Sequence, residues 1–100
     1  MIDLKTKKEL LEGGTCVVSV TGELELYTAH RFEEELLGAL GDAPESVIVD
    51  LTECEFIDST ALGSLLDAHK RLGWAGIGLS VVTADPSIRK LFEITGRSRS

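Results

Sequence analysis

A chain of 100 residues, of which 43% are apolar and 27% charged, has the size and composition of one small domain with a single core. Its formal net charge is −7, from 17 acidic and 10 basic residues, and the basic residues do not cluster in the sequence. Nucleic acid and anionic membrane surfaces are therefore disfavoured as partners, and a protein with a basic patch is favoured.

The N-terminal segment MIDLKTKKELLEGG lacks the basic start and continuous apolar run of a secretory signal. No apolar stretch approaches the ~18 residues that a membrane span requires, so we expect a soluble cytoplasmic protein. Cys16 and Cys54 lie in strand-like segments without the spacing of a zinc or C-x-x-C site. We expect two buried free thiols, with a disulfide between neighbouring strands as the alternative, and neither a metal nor another cofactor.

The first half of the chain predicts a hairpin followed by a helix. One strand is expected near residues 2–11 and a second over 15–21, where Gly22 ends it. Thr28 is the expected N-cap of a helix that ends at Gly41. The predicted buried positions of this helix are Ala29, Phe32, Leu36, Leu37 and Leu40, and its early turns would hold the glutamates Glu33, Glu34 and Glu35, which the helix dipole favours there.

The second half alternates strands with helices. SVIVDL predicts a central buried strand, residues 77–82 predict another, and a helix from about Ser59 to Leu72 lies between them and stops at Gly73. The apolar stripe of that helix comprises Leu62, Leu65, Leu66 and Leu72. Asp85-Pro86 opens a third helix, whose predicted buried residues are Ile88, Leu91 and Phe92.

The order β-β-α-β-α-β-α predicts an α/β fold: a mixed, mostly parallel four-stranded sheet, in which the N-terminal hairpin strand joins a β-α-β-α-β-α unit and the helices pack against the sheet. No internal repeat or domain boundary is visible. We expect a single domain over residues 1–100.

The stretch EFIDSTALGSLL is the leading candidate site, because Asp58, Ser59 and Thr60 follow a strand and begin a helix. These residue types suit a helix cap, which is one interpretation. A hydroxyl at a helix start is also a plausible phosphorylation site, since the free N–H groups and the dipole favour an anion. A phosphate would add about −1.5 to −2 charges there. A Ser59 hydrolase is disfavoured, because G-x-S-x-G is absent.

The segments VSVTGELELYTAHRFEEEL, VIVDLTECEFIDSTALGSLLDAHKRL and LFEITG together resemble the STAS domain of bacterial anti-sigma-factor antagonists, over about residues 3–96. The resemblance implies a protein that binds an anti-sigma factor serine kinase, frees a sigma factor and is not an enzyme. It implies phosphorylation of Ser59, with Thr60 the less favoured neighbour, and resetting by a serine/threonine phosphatase. It also implies contact surface from Asp58, Thr60, Leu62 and Gly63 and from Gly22, Glu23, Leu24 and Tyr27 of the loop before the first helix.

Two residues depart from the family pattern: Ala61 replaces a common glycine and would add a Cβ near the phosphoacceptor, and Glu25 replaces an aspartate in the loop. The family pattern also continues beyond the last residues of this chain, so we expect a C-terminal truncation. Two alternatives stay open: a STAS scaffold subunit of a signalling or transport assembly that is never phosphorylated, and a STAS sensor of a small molecule or nucleotide.

The chain has two histidines and one tryptophan, and for His69 and Trp74 a structural role competes with a functional one. His69 falls on the apolar stripe, and a partly buried packing histidine is favoured over a metal ligand because no second histidine is near it in sequence. His30 is expected to be exposed. Trp74 is expected to cap the core, with an exposed interface anchor as the alternative.

Overall fold

The fold is a four-stranded mixed sheet with helices packed against it, which confirms the predicted α/β architecture. The computed structural model describes residues 3–91. In chain order the elements are β1 (Lys5–Leu10), β2 (Thr15–Leu24), α1 (Ala29–Gly38), β3 (Ser46–Ile57), α2 (Ser59–Trp74), β4 (Gly78–Val82) and α3 (Pro86–Leu91), and a 3₁₀ turn over Ala39–Asp42 follows α1.

The strands lie in chain order, β1-β2-β3-β4. β1 pairs antiparallel with β2, and β2–β3 and β3–β4 are parallel, so α1 and α2 are crossover helices. β2, β3 and β4 follow one another across the sheet in the same direction, and both crossovers are right-handed. The two helices α1 and α2 therefore lie on the same face of the sheet. The core forms between them from alternate strand residues and the helix stripes, led by Cys16, Val18, Val20, Val47, Val49, Phe32, Leu36, Leu65 and Leu72. Each such large side chain contributes about 1.5–3 kcal/mol by its burial.

The first helix differs from its prediction at both ends. Thr28 occupies the N-cap position but makes no side-chain cap bond, and the first turn contains no acidic residue. The α-helix ends at Gly38 rather than Gly41, because the chain tightens into the 3₁₀ turn and then reverses at Ala43, whose φ is 49°. Leu40 therefore falls off the buried stripe and is exposed.

The second and third strands are longer than predicted. β2 continues through Gly22, whose φ of 105° fits an irregularity in the register of its pairing with β3, and ends at Leu24. β3 continues past Leu51 to Ile57, because its outer half pairs with the extended end of β2 although most of its side chains there are exposed. Backbone pairing holds the exposed part of β3 in this extension, and the buried Leu24 anchors the end of β2 in the core.

The second helix also extends further than predicted, through Gly73 to Trp74. The predicted cap of the core by Trp74 is wrong, because its side chain is 77% exposed. Ala61 and Ala68 join Leu65 and Leu72 on the buried face, whereas Leu62 and Leu66 are only partly buried. The buried face of α2 ends at Leu72, which leaves Trp74 exposed beyond it.

The remaining predictions concern single residues. Cys16 is buried, Cys54 is half-buried and both are free thiols. His69 is half-buried and His30 is exposed, as expected. Ile88 of α3 is buried, as expected. The predictions for Leu91, Phe92 and the rest of the LFEITG motif are not tested. The side chain of Leu91 and residues 92–100 lie outside the part of the chain that the structure describes.

Candidate functional site at the start of α2

The candidate site lies at the carboxyl ends of β2 and β3, which extend past the end of β4. β4 pairs with β3 only as far as Val82 and Asp50, whereas β2 and β3 stay paired up to Leu24 and Ile57. The chain then enters α2 at Ser59 after a single residue. The predicted position beyond a strand and at a helix start is therefore confirmed.

Asp58 is the N-cap of α2 and joins it to the loop after β2. Its backbone is extended (φ −99°, ψ 179°), and its Oδ1 accepts a hydrogen bond from the Ala61 N–H at 2.9 Å. Its Oδ2 accepts one from the Leu26 N–H at 3.0 Å, and its own N–H donates to the Leu24 carbonyl at 3.0 Å. The cap interpretation is thus correct for Asp58. It leaves the neighbouring hydroxyl residues available for another role.

The loop between β2 and α1 is held by its own side chains. The Thr28 hydroxyl donates to the Glu23 carbonyl at 2.9 Å and accepts from the Glu25 N–H at 3.0 Å. The Glu25 carboxylate accepts from the Tyr27 N–H. Thr28 therefore closes the loop instead of capping α1. The longer side chain at position 25 folds back onto the loop backbone, so the departure from aspartate is accommodated locally.

Ser59 and Thr60 are both exposed, and Gly63 is exposed one turn later. Ala61 is fully buried, so its methyl group points into the core. Residues 59 and 61 are separated by roughly 200° around a helix of 3.6 residues per turn. The expected obstruction of Ser59 by the Ala61 Cβ is therefore wrong, because the two side chains face opposite sides of α2.

Exposed apolar side chains surround the start of α2. Leu26 is 60% exposed, Tyr27 81% and Phe56 52%. Phe56 pairs with Glu23 across β2 and β3, which places it on the same sheet extension as the loop. The predicted contact surface included Tyr27 and the loop that contains Leu26, but it missed Phe56. The sequence did contain a signal for Phe56. In EFID an aromatic residue stands between Glu55 and Asp58, and it does not belong to an alternating pattern of buried strand residues.

The predicted site residues do not all reach the surface. The structure brings Asp58, Ser59, Thr60, Gly63 and the loop containing Tyr27 to one end of the sheet, with Leu62 partly buried beside them. Leu24 is fully buried and Gly22 is buried as well. The expected surface role of the Leu24 side chain is thus corrected: it belongs to the core, and its carbonyl anchors Asp58.

A groove of about 440 Å³ runs along the outer half of β3, on the edge where β4 no longer pairs with it, opposite the start of α3. Its lining includes the carboxylates Glu55 and Asp85. Hydrogen bonds from Ser87 lower the pKa of Asp85, which keeps it charged. Burial raises the pKa of the Cys54 thiol in the same groove, which disfavours a reactive thiolate. Among residues 3–91, no group of three or more His, Cys, Asp or Glu side chains could hold a metal ion.

The comparisons with known proteins agree with this fold. The sequence model of the STAS domain matches residues 5–100. The chain belongs to the STAS domain family. This STAS domain is 35% identical over 79 residues to the anti-sigma-B factor antagonist of Staphylococcus aureus strain NCTC 8325, covering 79% of this chain and 73% of that protein. It is 34% identical over 79 residues to the antagonist of the same name from Staphylococcus epidermidis, with the same coverage.

Solved structures show the same fold. The anti-sigma factor antagonist from Mycobacterium paratuberculosis superposes with a TM-score of 0.76 at 32% identity, covering 94% of this chain and 79% of that one. SpoIIAA in its unphosphorylated form superposes with a TM-score of 0.73 at 21% identity, covering 90% of this STAS domain and 83% of that chain. No helix within the described part of the chain is long and apolar enough to cross a membrane.

Proposed function

We propose that this STAS domain is an anti-sigma factor antagonist: a cytoplasmic binding module, not an enzyme, that binds an anti-sigma factor serine kinase and thereby frees a sigma factor. Phosphorylation of Ser59 ends the binding, and a serine/threonine phosphatase restores it. The observation that carries this proposal is the exposure of Ser59 at the first position of α2, beside the exposed apolar side chains of Leu26, Tyr27 and Phe56.

The start of α2 and the loop after β2 form one binding surface because Asp58 holds them together through both carboxylate oxygens. Exposed aromatic residues are frequent anchors of protein interfaces, and Tyr27 and Phe56 fit this role. Thr60 and Gly63 add polar and small-residue surface on α2, and Glu23 adds charge at the end of β2. Gly22 and Leu24 are buried beneath this surface and support it from the core.

Phosphorylation would change this surface strongly. A phosphate on Ser59 adds about −1.5 to −2 charges and three acceptor oxygens beside the Asp58 carboxylate. In a desolvated contact, an unpaired dianion costs several kcal/mol. A switch from a 99:1 to a 1:99 ratio of bound to free protein requires about 5.5 kcal/mol, which is the same scale. The helix start itself tolerates the phosphate, because its N–H groups favour an anion.

A nucleotide or anion sensor is less well supported. At the start of α2, where a free anion would bind, the Asp58 carboxylate already accepts the Ala61 N–H. The groove beside β3 carries Glu55 and Asp85, and both carboxylates would repel a phosphate group. The acidic surroundings instead fit a basic patch on a protein partner, in keeping with the net charge of −7.

The decisive experiment measures the intact mass of wild type, Ser59→Ala and Thr60→Ala after incubation with ATP, Mg²⁺ and each anti-sigma factor kinase encoded by the same genome. Thr60→Ala is the matched control, because residue 60 is the exposed neighbouring hydroxyl. We expect one phosphoryl group on wild type and Thr60→Ala and none on Ser59→Ala. Isothermal titration of the kinase should then show binding to unmodified protein only. Phosphorylation of Ser59→Ala, or no phosphorylation by kinases that modify a control substrate, would refute the switch and favour a scaffold role.

A further inference from the structure

A second exposed surface lies at the opposite end of α2, around the single tryptophan of the chain. Trp74 is the last residue of α2 and is 77% exposed. At 1.5 Å per residue, about 22 Å of helix separates it from Ser59. The end of the helix is closed by its own backbone, since the Ala75, Gly76 and Ile77 N–H groups donate to the Leu72 and Gly73 carbonyls.

Trp74 stands at the edge of an open, mostly apolar groove of about 510 Å³. The groove is lined by Leu66, His69, Lys70 and Trp74 of α2 and by Ile77 and Gly78 at the start of β4. A Cβ added at Gly73 or Gly78 would meet no atom within 4 Å, so there is open space on both sides of the tryptophan. A groove of this volume can accept a bulky apolar side chain together with its neighbours.

The charge of this groove differs from that of the rest of the protein. The described residues that line it include the cation Lys70 and no carboxylate, whereas the chain as a whole has 17 acidic and 10 basic residues. An apolar groove with a cation at its rim fits a segment that carries a carboxylate next to a large apolar side chain.

We propose that the groove around Trp74 and Lys70 is a docking site for an acidic amphipathic helix of a partner protein. An apolar residue of that helix packs against Trp74 and fills the space above Ile77, and a carboxylate one turn away pairs with Lys70. Helices that lie in apolar grooves use anchors at i, i+3, i+4 and i+7, which suits a shallow site between a helix and a strand. Because Ser59 lies at the other end of α2, docking here is independent of its phosphorylation.

The test uses three synthetic peptides with the full chain as the receptor. The first is an amphipathic helix with leucines at i, i+3, i+4 and i+7 and glutamates beside them; the second replaces each glutamate with lysine, and the third replaces each leucine with serine. Trp74 is the sole source of tryptophan emission, so a blue shift reports this groove directly. We expect a saturable shift with the first peptide, weakening with added salt, and none with the other two.

Variants locate the binding, which is followed by anisotropy of a dye on the first peptide. Lys70→Glu and Trp74→Ala should each weaken binding at least about tenfold. Lys7→Glu is the matched control, since it makes the same charge change on an exposed residue of β1, at the far edge of the sheet, and should leave binding unchanged. Thermal unfolding verifies that each variant is folded.

Several outcomes would overturn the docking site. These are equal binding of the lysine peptide, no response to the first peptide, and a shift in emission with protein concentration alone, which would mean that a second copy covers Trp74. Ser59→Ala should bind the first peptide as wild type does, and Trp74→Ala should still be phosphorylated. A failure of this proposal is therefore distinguishable from a failure of the proposed phosphorylation switch.

Discussion

The Asp58 carboxylate accepts the Leu26 N–H at 3.0 Å, so the residue that caps α2 also fixes the loop that follows β2. The two residues are far apart in sequence, and only the parallel pairing of β2 with β3 brings them together. The helix cap and the proposed partner surface are consequently one structure. Any change at position 58 should act on both stability and binding.

Replacement of Asp58 tests this double role. Asp58→Ala removes both hydrogen bonds, and loss of an N-cap typically costs about 0.5–2 kcal/mol. In a domain of this size, 1 kcal/mol corresponds to a change of roughly 4–8 °C in Tm. Asp58→Asn keeps one acceptor oxygen and should fall between wild type and alanine. Calorimetry of the three proteins checks the order, and an alanine variant as stable as wild type would contradict the cap geometry.

Phe56 should anchor the anti-sigma factor. Phe56→Ala removes an exposed ring, so we expect little change in Tm but a loss of at least about tenfold in affinity for the kinase, as for an interface hot spot. Leu10→Ala is a suitable control, because Leu10 is 55% exposed against 52% for Phe56 but lies on the edge strand β1. Surface plasmon resonance with the immobilised kinase measures both. Equal losses for the two variants would remove Phe56 from the interface.

Gly63 offers a substitution that separates stability from binding. A Cβ at Gly63 would meet no atom within 4 Å, and alanine is favoured over glycine within a helix by about 1 kcal/mol. Gly63→Ala should therefore raise Tm, yet weaken kinase binding if the partner approaches this face of α2 closely. Gly73→Ala, at the other end of α2, has the same free space and should raise Tm without affecting kinase binding. Chemical denaturation and titration calorimetry of both variants distinguish these results.

The sequence was sufficient to predict the order of strands and helices along the chain and the position of the candidate site, because the relevant signals are local. Alternating or β-branched apolar runs specify the strands, and Asp58 at a strand-to-helix junction specifies the cap. The extent of β2 and β3 could not be predicted in this way. The outer half of β3 is held mainly by its backbone pairing with β2, and exposed residues such as Phe56 carry no burial pattern.

Single residues at element ends were predicted least well for the same reason. Thr28 is a good N-cap residue by type, but its hydroxyl is engaged by Glu23 and Glu25 in the loop. Trp74 is apolar, yet the last buried residue of α2 is Leu72, two residues before it. Tertiary contacts decide both outcomes, and residue type alone does not specify them.

Leu24 tests the distinction between core and surface. Because it is fully buried, Leu24→Ala should create a cavity and lower the free energy of unfolding by about 2–5 kcal/mol. Leu26→Ala, two residues later and 60% exposed, is the matched control and should change stability far less. Urea denaturation compares the two. A small effect of Leu24→Ala would mean that its side chain belongs to the partner surface, as the sequence first indicated.

Glu33 makes stability depend on pH in a direction opposite to that of a carboxylate in an ion pair. Partial burial, and then a hydrogen bond and charge repulsion from Asp67, raise the pKa of Glu33 above its ordinary value of 4.5, although Arg71 and His30 oppose the shift. The native state therefore keeps a proton that the unfolded chain has already released. The free energy of unfolding should consequently fall as pH rises from 4.5 through the raised pKa.

Glu33→Gln removes this penalty, because glutamine is neutral and can still donate a hydrogen bond to Asp67. The variant should have a higher Tm than wild type at neutral pH, and the difference should vanish well below pH 4.5, where glutamic acid is neutral in both states. Glu35→Gln changes the same charge on an exposed position of α1 and should not reproduce this pH dependence. Thermal unfolding at a series of pH values measures both variants. A constant difference across the series would indicate that Glu33 is charged throughout, and that Arg71 outweighs burial and Asp67.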